Sequence, residues 1–171
     1  MDEIAREAGV SKATVYKYYK NKREIFYEVV QIESDQMLLH IREAVDKETT
    51  ILGKLKAHFL TKIRTIHRLI NFYRVTCDTW SAHWPFISDI LENFMQEEKK
   101  LVRNILKQGN DSGELKVRDV AVAAHLIVVS MKSLEYPWAV EGQNFSPRKS
   151  LTASNLVDAM LDILMNGLQK R

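Results

Sequence analysis

One cysteine, three prolines and six glycines in 171 residues leave this chain few means of cross-linking or breaking its own backbone. Cys77 has no second thiol, so an intrachain disulfide and a shared thiolate metal site are both excluded. That usage suits a reducing compartment, and Cys77 itself reads as a small buried apolar residue. Long apolar runs are missing too: "VAVAAHLIVVSM", Val120 to Met131, carries a histidine and falls short of the roughly 20 residues that span a bilayer. With no signal-peptide pattern ahead of it, a cytoplasmic protein without membrane contact is expected. Charge of one sign is scarce, at a formal net of +3, so any affinity for a polyanion must come from a local patch. What remains, 46% hydrophobic and 27% charged, is a globular chain able to bury one sizeable core.

Catalytic patterns are absent as well. There is no E-x-x-H pair for a di-iron bundle, no H-E-x-x-H for zinc, no G-x-S-x-G and no glycine loop to cradle phosphate. His58 and His67 stand nine residues apart, half a turn out of phase on one helix, and cannot share a metal from it. No enzyme, no metal and no cofactor are expected.

The prevailing hydrophobic period is three to four residues, and no strand pattern or repeat interrupts it, so the class is all-α. From Asn21 to about Val45 a stripe of Ile25, Phe26, Val29, Val30, Met37, Ile41 and Val45 marks one long helix, opened by a capping box of Asn21 and Glu24. A second helix from near Thr50 places Leu52, Leu55, Phe59, Ile63, Ile66 and Ile70 inward. A third starts at Pro85, runs to about Gln108 with Ile87, Leu91, Phe94, Leu101, Val102 and Ile105 inward, and ends in "GNDSGE". The last two run from an N-cap at Asp119 to about Trp138, and from about Pro147 to Leu168.

Ahead of these lies "MDEIAREAGVSKATVYKYYKNKREIF", where five Lys or Arg and three tyrosines crowd into residues 9–26. "MDEIAREAG" reads as a short amphipathic helix with Ile4, Ala5 and Ala8 inward, Gly9 as its left-handed stop, and Ser11 as the cap of a second short helix, Lys12 to about Tyr18. Helix, glycine turn, helix is the helix-turn-helix pattern, whose second member lies in a major groove. Lys12, Ala13, Thr14 and Lys17 would meet the groove, Tyr16 and Tyr18 would offer hydroxyls to phosphates, and Val15 and Tyr19 would pack inward. Lys22 would add its charge and the next helix's free N–H groups to the same strand.

Position by position, "IAREAGVSKATVYKYYKNKREIF" resembles the DNA-binding signature of the TetR family of transcriptional regulators. The turn "GNDSGELKVRDVAVAAHLI" is similar to the connection that family uses before its dimerisation helices. The resemblance implies an N-terminal helix-turn-helix joined by a long helix to a C-terminal ligand-binding and dimerisation domain, divided here as residues 1–46 and 47–171. It implies a ligand-responsive DNA-binding regulator, a homodimeric repressor released from its operator duplex by a small, largely apolar molecule. It also implies one further helix before Met1, so that either the chain starts upstream of Met1, which is the expectation, or its DNA-binding domain is incomplete at the N-terminus and binds DNA poorly or not at all. The alternative is a dimeric small-molecule-binding protein without DNA activity.

The remaining half carries its own signals. The helix from Asp119 is apolar nearly all round and needs cover on two faces, while the last helix has a broad stripe of Ala153, Leu156, Val157, Met160, Leu161, Leu164 and Leu168. Pairing both helices with a second copy as a four-helix bundle would bury them. An aromatic-rich passage between Phe59 and Phe94 suggests an effector pocket for an apolar or aromatic compound, walled by Trp80, Trp84 and Phe94 with Phe59 and Ile63 opposite. Glu98 falls on the inward stripe four residues after Phe94. There it either needs a partner such as His40, His58, His67 or Arg74, or sits where the stripe reaches solvent.

Overall fold

The computed structural model describes residues 1–66, 68–69, 85–141 and 152–168, with the backbone alone for residues 66, 134–141 and 167–168. Its helices are α1 (Asp2–Glu7), α2 (Lys12–Tyr18), α3 (Lys22–Asp46) and α4 (Ile51–Ile66), then a 3₁₀ turn (Pro85–Ile87), α5 (Ser88–Ser112), α6 (Val120–Glu141) and α7 (Ala153–Leu168). Among the described residues there is no β-strand.

Local hydrogen bonds fix where these helices begin. Ser11 Oγ accepts the Thr14 N–H at 3.0 Å and opens α2. Asn21 Oδ1 accepts from the N–H groups of Arg23 and Glu24 at 2.9 and 3.1 Å and opens α3. Glu24 reaches back, as a capping box requires, but takes the N–H of Lys20 at 2.7 Å, one residue beyond the cap. Asp119 Oδ1 accepts from Ala121 and Val122, both at 3.0 Å, and opens α6.

Packing decides the inward faces, and it corrects the expected stripes on α4 and α1 and the expected end of α5. On α4 the buried residue is Ile51, and Leu52 stands 48% exposed. The reason is Gly109: a Cβ there would lie 2.7 Å from the Leu115 side chain and 3.3 Å from Ile51. The bare backbone of α5 thus admits both, and Ile51 fills the space. Helix α5 accordingly runs through Gly109 to Ser112, a turn past Gln108, and Gly113 ends it at a left-handed φ of 77°. On α1 Ala5 is buried, whereas Ala8 is exposed because the chain already turns away there into Gly9 at φ 66°.

One core joins α3 to α7 through Val30, Met37, Ile41, Leu55, Phe59, Ile90, Ile105, Ile127, Met131 and Leu161, among others. Ala5 and Val15, the buried residues of α1 and α2, stand outside it. Four large apolar side chains point the other way: Val122, Leu126 and Val129 on α6 at 54, 56 and 47% exposure, and Ile163 on α7 at 74%. Leu161, at the centre of the α7 stripe, is buried within its own protomer at 1% exposure.

The α5–α6 turn is held by Asn110, whose Oδ1 accepts from Val117 N–H at 2.9 Å while its Nδ2 donates to Val117 O at 2.8 Å. Asn110→Ala strands both backbone groups of a buried residue and is expected to cost about 1–3 kcal/mol. A lowered urea midpoint with an unchanged m-value would be the sign of it.

Candidate nucleic-acid interface and buried charge cluster

Helix α2 keeps one residue, Val15, buried at 7% exposure against the first helix, where Ala5 is buried at 4%. Every other α2 residue is exposed: Lys12, Ala13, Thr14, Tyr16, Lys17 and Tyr18. Tyr18 is the most open of its aromatic residues at 71%. Tyr19 is half-buried, and Lys22, exposed, begins α3 beside the cap that closes α2. Two of the residues expected at the groove already have partners within the chain. Lys12 Nζ lies 2.9 Å from Asp2 Oδ1, and Thr14 Oγ1 lies 2.8 Å from Ser11 Oγ. The hydrogen bond from Lys12 holds the Asp2 carboxyl below its ordinary value.

The first half of α3 meets the start of α5. Tyr27 Oη donates to Asp89 Oδ2 at 2.8 Å, which pushes the phenol pKa up. The Phe26 and Phe86 rings meet edge to face at 6.3 Å, and the Arg23 guanidinium lies 5.8 Å from the Phe86 ring centre. A cavity of about 420 Å³, lined by Tyr18, Tyr19, Arg23, Tyr27 and Phe86 among others, opens between the end of α2 and this junction.

Deeper in the bundle, α4 and α5 share a buried charge cluster. Glu98 is 3% exposed, Lys62 4% and His58 0%. Lys62 Nζ donates to Glu98 Oε2 at 2.8 Å and stands 2.7 Å from Oε1, while His58 Nε2 is 3.4 Å from Oε1, an ion contact rather than a formed hydrogen bond. Burial alone would raise the Glu98 pKa; the Lys62 charge and the neighbouring His58 outweigh it and bring it down to about 2. Lys62 also covers the Phe94 ring at 5.1 Å, and the His58 and Phe59 rings meet edge to face at 4.4 Å.

Of the residues expected to wall a pocket, Phe59, Ile63 and Phe94 are brought into one core with Glu98 beside them. Trp80 and Trp84 lie outside the described residues, as do His67 and Arg74. Glu98 does not reach solvent, and of its expected partners His58 is at hand while His40 is exposed. Lys62, its closest partner, escaped the sequence reading. The signal was its place three residues after Phe59 and four after His58, on the face that turns inward. Among the described residues no group of three or more His, Cys, Asp or Glu could hold a metal ion, and no helix is long and apolar enough to cross a membrane.

A capped, exposed, basic helix behind a glycine turn, carried by a long helix into an all-α bundle, defines a helix-turn-helix DNA-binding regulator. Residues 1–29 match the family model of the bacterial regulatory proteins, tetR family. The chain is 24% identical over 177 residues to the fatty acid metabolism regulator protein of Bacillus subtilis, across 100% of this chain and 86% of that one. The fold is that of FadR from Bacillus subtilis in complex with stearoyl-CoA, with a TM-score of 0.74 at 22% identity, covering 97% of this chain and 87% of the other. It is also similar to AibR in complex with isovaleryl coenzyme A and operator DNA, with a TM-score of 0.63 at 17% identity, covering 95% and 84%.

Because the Glu98 pKa is depressed in the fold, the unfolded chain binds more protons between its ordinary value of 4.5 and about 2. The stabilisation is therefore complete above pH 4.5 and lost as pH falls through that window. Urea titrations should find the fold less stable at pH 2.5 than at pH 6 through this group. Glu98→Gln should remove that part of the difference.

Proposed function

We propose that the chain is a ligand-responsive transcriptional repressor that holds an operator duplex through α2 and releases it when a small, largely apolar molecule enters the bundle. The observation that carries this reading is the exposure of every α2 residue but Val15. Lys12, Ala13, Thr14 and Lys17 face the bases, while Tyr16, Tyr18 and Lys22 hold phosphates. In this reading residues 1–46 form the DNA-binding part with its connecting helix and residues 47–171 the sensor. Phe59, Ile63, Phe94 and Glu98, with Trp80 and Trp84, surround the effector. The acyl-CoA ligands of the two similar structures support an effector with an apolar chain.

The junction at Phe86 and Asp89 supplies the link between the two parts. Phe86 sits in the 3₁₀ turn next to Pro85 and Asp89 in the first turn of α5, and both touch the start of α3, Phe86 at Phe26 and Asp89 at Tyr27. A shift of α5 by an effector thus moves Tyr27 and Phe26, and with them the C-terminal end of α2.

Two copies pair through α6 and α7. The support is the exposed face of Val122, Leu126, Val129 and Ile163, four large apolar side chains that one protomer leaves in water. Leu126→Asp places a charge on that face without entering the protomer core. Sedimentation at micromolar concentration should show the wild type as a dimer and this variant as a monomer. Leu161→Asp would instead strike the protomer's own core.

Duplex binding tests the whole reading. Affinity should fall steeply with salt, and Lys22→Ala should weaken all sequences alike and reduce the salt slope by about one unit per protomer. Thr14→Ala and Lys17→Ala should change which sequences bind, each costing about 1–3 kcal/mol for a base edge that goes unread. Tyr16→Phe should weaken binding without changing preference. In a symmetric dimer the two half-sites lie about 34–36 Å apart. Ligand binding with no salt-dependent duplex binding would favour a dimeric carrier without DNA activity.

A further inference from the structure

The two short N-terminal helices begin with side chains that bind each other. Asp2 is the first residue of α1 and Lys12 the first of α2. Lys12 Nζ donates to Asp2 Oδ2 at 3.0 Å and stands 2.9 Å from Oδ1, so one ammonium spans both carboxylate oxygens. The hydrogen bond between them keeps the Asp2 carboxyl below its ordinary value and raises that of Lys12. Both side chains are exposed, at 53% for Lys12 and 75% for Asp2, and an exposed pair adds little to stability. The contact of Ala5 with Val15 and the Ser11 cap already shape the unit, so the pair matters more for what Lys12 can present to a nucleic acid.

A free lysine meets a duplex chiefly as a point charge that displaces counterions from a phosphate. Lys12 with its carboxylate is neutral as a unit, and a phosphate that approaches it meets the Asp2 charge as well. Among the described residues Lys17 and Lys22 have no ion pair and keep their full charge. Of the three N–H donors of the Lys12 ammonium, two suffice for the Asp2 oxygens and one is left over. A neutral acceptor gains that hydrogen bond without bringing a second anion to the carboxylate. The first turn of a recognition helix is where base edges are met, and guanine offers O6 and N7 side by side in the major groove.

We propose that Asp2 is a positioning residue for DNA recognition, holding the Lys12 ammonium off the phosphates and on a base edge, so that Lys12 reads one guanine in each half-site. This rests on the reading that α2 lies in a major groove, and it names a residue outside α2 that sets what α2 reads.

Selection from a randomised duplex pool, followed by salt titrations of the full chain against selected and unselected duplex, tests it. With the wild type, one position of each half-site should keep a guanine, preferred about tenfold over other bases, and Lys12→Met should lose that preference. Asp2→Asn should cut it to about threefold or less while unselected duplex binds more tightly. Removing any nearby acid raises affinity for a polyanion, so the deciding readout is how far Lys12→Met lowers the salt slope on unselected duplex. The decrease should be less than about half a unit per protomer when Asp2 is present and about one unit in the Asp2→Asn background, where the freed ammonium takes a phosphate. Glu3→Gln, which removes the exposed acid next along α1, should raise affinity without changing that effect. Asp2→Glu, which keeps a carboxylate at the same place, should retain the wild-type pattern. Equal effects of Lys12→Met in both backgrounds, or a guanine preference untouched by Asp2→Asn, would overturn the role of Asp2 and leave α2 standing as the reader. A wild-type chain without salt-dependent duplex binding would overturn the DNA reading itself and this proposal with it.

Discussion

A carboxylate cannot be left alone in a protein interior, and Glu98 is in the interior of this one. Its burial is tolerable only because Lys62 reaches it across the α4–α5 contact, with one hydrogen bond and a second close approach. The pair consequently fixes the register of the two helices: sliding α4 along α5 by one residue would separate the charges by about 1.5 Å of rise and turn them apart by about 100°. Phe59, Ile63 and Phe94 take their places in the core around this weld. Helix α3 packs on α4, and α6 on α5, on either side of this pair. Such pairs are worth little as net stability, which makes specificity of register the more natural reason for this one.

The N-terminal helices answer to a different constraint. Their two buried residues, Ala5 and Val15, belong to no larger core, so α2 owes its shape to capping and to the turn at Gly9 more than to burial. An element held by local hydrogen bonds can be carried as a unit, and in the proposed function α3 is what carries it. The points where α3 touches the start of α5, Tyr27 on Asp89 and Phe26 on Phe86, lie within two turns of the cap at Asn21.

Helix termini were legible in the sequence because their causes lie within four residues. Ser11, Asn21 and Asp119 each accept from N–H groups two or three positions on, and Gly9 and Gly113 each take a left-handed φ that other residues avoid. The basic and aromatic content of α2, and its likeness to a known DNA-binding signature, are likewise properties of a contiguous stretch. So is the all-α class, which needs only the period of the apolar residues.

Tertiary structure alone decided which of two adjacent apolar residues turned inward. Ile51 displaced Leu52 because Gly109, fifty-eight residues later, leaves room for it. Leu161 went to the protomer core and Ile163 to the outer face, a division that depends on where α4 lies beneath α7. Whether Glu98 was a solvated stripe end or a buried anchor depended on Lys62, thirty-six residues earlier and of the wrong polarity to be sought inside. Hydrophobic period fixes a face to within the arc of a helix turn; the identity of what lies opposite, which the chain sets only by folding, fixes the side chain.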